Sequence, residues 1–223
     1  MGSRSQRFDL VIFDSDGVLV DSEPLVNRVY TDLMRELGHE MDESAGLREF
    51  SGASMATRLA AFSRRFAWLP TPEFEAAFHT RLAAAVAREL KPVTGIEDVV
   101  KQVRVPICAA SNGTTADIRG RLGAVGLLPY FEHALFSAPE LGRPKPFPDV
   151  FLHAARAFGV EPQRCAVVED SLTGVQAGVG AGMTVFGYAA HSDAAALRRS
   201  GAVTFTRMDD LVGLLREDAK DRD

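Results

Sequence analysis

At 223 residues the chain can form one sizeable domain, or one domain carrying a smaller insert. Its content of 46% hydrophobic and 25% charged residues is ordinary for a soluble globular protein, and its net charge of -5 argues against a nucleic-acid partner, which would call for a basic face. No segment is apolar and long enough to span a bilayer, the opening MGSRSQRFDL lacks the apolar stretch of a secretory signal, and Cys108 and Cys165 lie in apolar runs that suit buried reduced thiols, so the expectation is a cytoplasmic protein without a membrane partner.

In chain order, Leu10 to Phe13 is a short apolar run with no helical period that ends in the turn signal DSDG, and it predicts a fully buried strand. From about Glu23 to Leu90 the character changes. Val26, Tyr30, Leu33, Met34 and Leu37 recur at helical spacing and stop at Gly38. Met55, Leu59 and Phe62 continue the amphipathic pattern, and Thr71-Pro72-Glu73 reads as a capped helix start leading to about Leu90. This block is predicted to be all-helical.

After Lys91, strands alternate with helices. Val105–Ala110, Ala134–Ser137, Cys165–Val168, Met183–Phe186 and Val203–Phe205 read as strands. Thr115–Leu122, Phe147–Phe158, Val175–Ala181 and Met208–Leu215 read as helices, with a charged, frayed tail beyond. Alternation of this kind predicts a parallel sheet covered on both faces, with its ligand outside the carboxyl ends of the strands.

Three polar clusters fall where an apolar run stops. Asp14 and Asp16 flank Ser15 before Gly17; residues two apart in an extended segment share a side, and two carboxylates there can bind a hard cation, attack an electrophile or move a proton. A solvated turn is the better explanation of DSDG taken alone. A calcium loop does not, because the positions needing glycine and glutamate hold Leu19 and Leu25. Glu169 and Asp170 follow CAVV and would be costly near the first pair without a cation, although Asp170 or Ser171 could simply cap a helix. Oxygen ligands without a His/Cys cluster favour magnesium. Ser111 and Asn112 precede a helix and can hold phosphate oxygens or form a cap. Lys145, in the proline-stiffened GRPKPFPD, is either a phosphate-binding point charge or a solvated loop lysine.

Taken together, FDSDGVLVDSE, SNG, KPFPD and VVEDSLTGVQAGVGAGM resemble the four motifs of the haloacid dehalogenase superfamily of phosphohydrolases, in order and over nearly the whole chain. The resemblance implies an α/β fold: a Rossmann-like parallel-sheet core (1–21 and 92–223) with a small all-helical cap domain (22–91) inserted after the first strand. It implies Asp14 as nucleophile forming an aspartyl-phosphate and Asp16 as acid, then base. Ser111, Lys145 and the amides of Ser15 and Asn112 would hold the phosphoryl group. Magnesium would be held by the Asp14 carboxylate, the Asp16 main-chain carbonyl and Asp170, with Glu169 beside or on it. The cap loop around Arg48, Ser51, Gly52 and Ser54 would contact the substrate.

Within that superfamily the chain resembles the group of β-phosphoglucomutase and 6-phosphogluconate phosphatase. Val26 stands where the mutase cap carries a histidine, and the mutase cap arginine falls near Met55, both of which count against a mutase. The expectation is a monomeric phosphatase acting on a small phosphorylated metabolite. A phosphomutase and a non-catalytic protein that kept the fold are the rivals.

Overall fold

A computed structural model describes residues 7–40, 42 and 55–216. The run Leu10–Phe13 forms strand β1, buried at every position. Alternation sends Leu10 and Ile12 to one apolar layer and Val11 and Phe13 to the other, which is why the run has no polar face. The remaining strands are β2 (Ile107–Ser111), β3 (Leu135–Ser137), β4 (Cys165–Glu169), β5 (Thr184–Tyr188) and β6 (Val203–Phe205). All pair in parallel in the order β3-β2-β1-β4-β5-β6, so the chain reverses its direction of travel across the sheet beside β1. The expected α/β fold with a parallel sheet and surrounding helices is what forms.

Among the described residues, the first three helices after β1 are α1 (Glu23–Glu36), α2 (Met55–Phe66) and α3 (Pro72–Glu89). Gly38 ends the first in a left-handed conformation at φ 81°, as the sequence predicts. Thr71 caps the third by accepting from Phe74 N at 3.2 Å. These helices bury a cluster of their own. The Tyr30 ring lies 5.1 Å from that of Phe62, 5.8 Å from that of Phe74 and 4.8 Å from that of Phe78, and Val29, Leu33 and Met34 fill around them. The two connections to the sheet run side by side, since Val20 and Pro92 form an antiparallel bridge and Asp21 N donates to Lys91 O at 2.9 Å.

The sheet is covered by α4 (Ile96–Gln102), α5 (Thr115–Ala124), α6 (Leu128–Phe131), α7 (Asp149–Phe158), α8 (Leu172–Gly180), α9 (Ala194–Arg199) and α10 (Leu211–Arg216). Three of these, α4, α6 and α9, carry no sequence expectation. The last predicted helix begins instead as a short 3-10 turn over Met208–Asp210, and the predicted frayed tail falls mostly outside the described residues. No helix among the described residues is long and apolar enough to cross a membrane.

Candidate active site

Asp14 follows β1, Ser111 ends β2 and Glu169 ends β4, so adjacent parallel strands deliver all three at one edge. Lys145 arrives from the loop before α7, where its backbone N donates to Asn112 Oδ1 at 2.8 Å. Its ammonium is buried and uses all three protons. It donates to Asp14 Oδ1 at 2.5 Å, to Glu169 Oε1 at 2.5 Å and to the carbonyl of Ala110 at 2.9 Å. The solvated-lysine alternative is excluded by its 6% exposure.

One carboxylate oxygen each from Asp14, Glu169 and Asp170 lie within 4.8 Å of one another, and all three residues are buried. Burial pushes the Asp14 carboxyl up to about 7, with Lys145 pulling against the shift and the charges of Glu169 and Asp16 adding to it. Burial and the neighbouring Glu169 and Asp14 charges raise Asp170 well above the ordinary carboxylate range. Burial works against the Lys145 charge, but Asp14 and Glu169 more than offset it and hold the ammonium above its usual value. The cluster therefore carries more acid than one lysine balances. Its donors are all oxygens, so the cluster can hold a hard divalent cation that offsets the excess.

Two glycines make room for these carboxylates. Gly17 turns the chain at φ 77°, and a Cβ there would run into the Asp170 carboxylate. Gly174, in the first turn of α8, faces Glu169 so closely that a Cβ would displace its carboxylate. That carboxylate is held by Ser171, whose N and Oγ donate to Oε2 at 3.2 and 2.9 Å. Ser171, not Asp170, caps α8, accepting from Gly174 N at 3.0 Å.

The Asp16 carboxylate is not among the three that meet. Its side chain turns away from the other three: Oδ1 accepts from Ser22 Oγ at 2.7 Å and Oδ2 accepts from Arg121. It still lines the same cavity, of about 470 Å³, as do Asp14, Ser111, Asn112, Lys145 and Asp170. Glu169 and Ser15 lie behind that wall, fully buried. Arg48, Ser51, Gly52 and Ser54 fall outside the described residues. Arg121 on α5 and His79 on α3 also line the cavity and carry no sequence expectation. A second cavity, of about 270 Å³, lies apart from this site, lined by residues such as Phe8, Val11 and Val212 with no carboxylate among them.

Residues 8–182 match the family described as haloacid dehalogenase-like hydrolase. The chain belongs to that family. It is 31% identical over 206 residues to the 6-phosphogluconate phosphatase of Escherichia coli K12, covering 92% of this chain and 93% of that protein. Among solved structures, a haloacid dehalogenase-like protein of unknown function from Agrobacterium tumefaciens superposes with a TM-score of 0.87 at 35% identity, covering 93% of this chain and 97% of the other. A family hydrolase from Deinococcus radiodurans, crystallised with phosphate and sodium, gives a TM-score of 0.81 at 32% identity, with 96% and 100% covered. Membership makes the chain a hydrolase, and its named relatives include sugar-phosphate phosphatases.

Proposed function

We propose that this hydrolase is a magnesium-dependent phosphatase acting on the phosphomonoester of a sugar or sugar acid through an aspartyl-phosphate on Asp14. The observation that carries the reading is the bridge of Lys145 between Asp14 and Glu169 beneath a cavity of about 470 Å³, next to a third buried carboxylate. Relatives named for 6-phosphogluconate, fructose 1-phosphate and hexitol support the substrate class.

In this reading a carboxylate oxygen of Asp14 attacks phosphorus and forms an O–P bond as the ester oxygen leaves. Asp16 gives that oxygen a proton, then takes one from the water that cleaves the aspartyl-phosphate. Ser111, Lys145 and the amides of Ser15 and Asn112 hold the phosphoryl oxygens, because transfer of this group depends on positioning and on neutralising charge. Magnesium would be held by the Asp14 and Asp170 carboxylates and the Asp16 carbonyl, with Glu169 beside it, and would draw charge from the phosphoryl oxygens. Residues 22–91 act as a cap over a core of 1–21 and 92–223, shielding the site from water. Val26 on the cavity wall, in place of a histidine, supports a hydrolase over a mutase.

The test is a phosphate-release screen over sugar phosphates, sugar-acid phosphates and nucleotides, with and without magnesium. Magnesium-dependent release is expected. Isomerised product with little free phosphate would favour the mutase, and no release from any substrate would favour a non-catalytic protein.

A further inference from the structure

Arg121 sits on the cavity wall with its side chain 23% exposed. It donates to Asp16 Oδ2, the oxygen that Ser22 does not hold. It also borders the phosphate cradle. Its Nη1 and Ser111 Oγ lie 4.0 and 3.6 Å, respectively, from the point where a Cβ on Gly113 would stand. Across the cavity from the core, α3 brings His79 to the same wall. Asp117, whose carboxyl is kept below its usual range first by hydrogen bonds from Thr114, lines the same cavity as Arg121 and His79.

Lys145 is committed to the phosphoryl end of the site, where its ammonium also meets Asp14, Glu169 and the Ala110 carbonyl. Arg121 differs. A guanidinium carries five N–H donors in a fixed fork, and among the described residues its one recorded acceptor is Asp16. Elsewhere the wall is acidic, with Asp14, Asp16, Glu23, Asp117 and Asp170 on it. A second negative group on a substrate is repelled from such a wall everywhere except beside a cation. With the phosphoryl end taken by Ser111 and Lys145, the remaining place for that group is the Arg121 fork, in the cavity that His79 also lines.

We propose that Arg121 selects phosphomonoesters bearing a second anionic group, foremost a carboxylate, by pairing with that group while the phosphoryl end occupies the Ser111–Lys145 cradle. The inference rests on the phosphatase reading of the same site. It gives Arg121 a role beyond balancing Asp16, because a counter-ion alone would be indifferent to the far end of the substrate.

The experiment compares kcat/KM for 6-phosphogluconate and glucose 6-phosphate, which differ at one end by a carboxylate, and for a sugar bisphosphate against its monophosphate. The wild type is expected to favour the acid by roughly 10- to 100-fold, the range of a charge-assisted hydrogen bond in a partly open site. Arg121→Gln is expected to collapse that ratio toward one, mainly through KM. Arg121→Lys is expected to keep part of it. Free gluconate, but not glucose, is expected to inhibit the wild type competitively, which reads the same contact should Arg121→Gln fail to fold.

An Arg121-dependent preference confined to the bisphosphate would support the anion site with phosphate as its ligand. Equal hydrolysis of acid and neutral substrates by the wild type, or an equal loss on both in Arg121→Gln, would overturn the inference while leaving the phosphatase reading intact. If no substrate released phosphate, acetyl phosphate included, the phosphatase reading would fail and this inference with it.

Discussion

Lys145 Nζ lies 2.5 Å from Asp14 Oδ1, across 131 positions of sequence, and the contact ties the loop before α7 to the end of the central strand. The same nitrogen holds Glu169, so a single cation stands between two buried carboxylates.

Lys145→Met removes that cation and leaves both acids without it. Breaking a buried pair from one side costs roughly 3–5 kcal/mol. Urea melts of the metal-free protein are expected to show a loss of that order, accompanied by near-complete loss of phosphate release. A variant as stable as the wild type would mean that Lys145 does not balance the cluster.

Asp14→Asn is expected to behave in the opposite way towards stability. The amide keeps the shape but removes a charge that burial disfavours, as the rise of the Asp14 carboxyl to about 7 indicates. The metal-free variant should melt no lower than the wild type, while turnover falls by roughly four orders of magnitude or more, as for loss of a nucleophile. Substantial residual turnover would refute Asp14 as the attacking group.

The metal-free protein is expected to lose stability as pH rises. Asp14 holds its proton up to about 7 when folded, against an ordinary value of 3.8, so the folded state binds more protons within that window. Stability from this group is fully present below the lower value and is lost as pH climbs to the upper one, by on the order of 4 kcal/mol at most. Asp170 shifts the same way. Magnesium binds the ionised carboxylates, so the rise in Tm on adding it should be larger at about pH 8 than at about pH 5. Thermal melts in chelator and in magnesium check this, and activity lost in chelator should return with magnesium. A larger magnesium effect at the lower pH would argue against these carboxylates as its ligands.

Gly174→Ala puts a methyl group where the Glu169 carboxylate lies. The carboxylate must move, and with it the contacts from Ser171 and Lys145. A loss of roughly 10- to 100-fold in magnesium affinity is expected, typical of disturbed support around a metal ligand. Titration of Tm with magnesium measures it.

The features legible from sequence were those with a local cause. Thr71-Pro72 announces a capped helix, Gly38 ends one in a left-handed conformation, and the unbroken burial of β1 follows from four consecutive apolar residues. The convergence of Asp14, Ser111 and Glu169 was also readable, because parallel strands share one carboxyl edge. The helices without a sequence expectation are short. α4 opens on Gly95 in a left-handed conformation without a side-chain cap, and α6 spans only Leu128–Phe131. α9 did carry a signal, since Asp193 accepts from Ala195 N and Ala196 N ahead of an alanine run. The partners of Asp16 were out of reach. Arg121 lies 105 positions away on a helix of low amphipathic contrast, and nothing local distinguishes it from a solvated arginine.

Because Asp21 and Lys91 are hydrogen-bonded neighbours, the sheet layer meets the helical block as though it were one long hairpin loop. The entropy of closing a loop grows only with the logarithm of its length, so the size of what hangs between these two residues matters little to the rest of the fold. A different set of helices grafted at this point is expected to leave Asp14 and the strand-end groups around it where the strands put them.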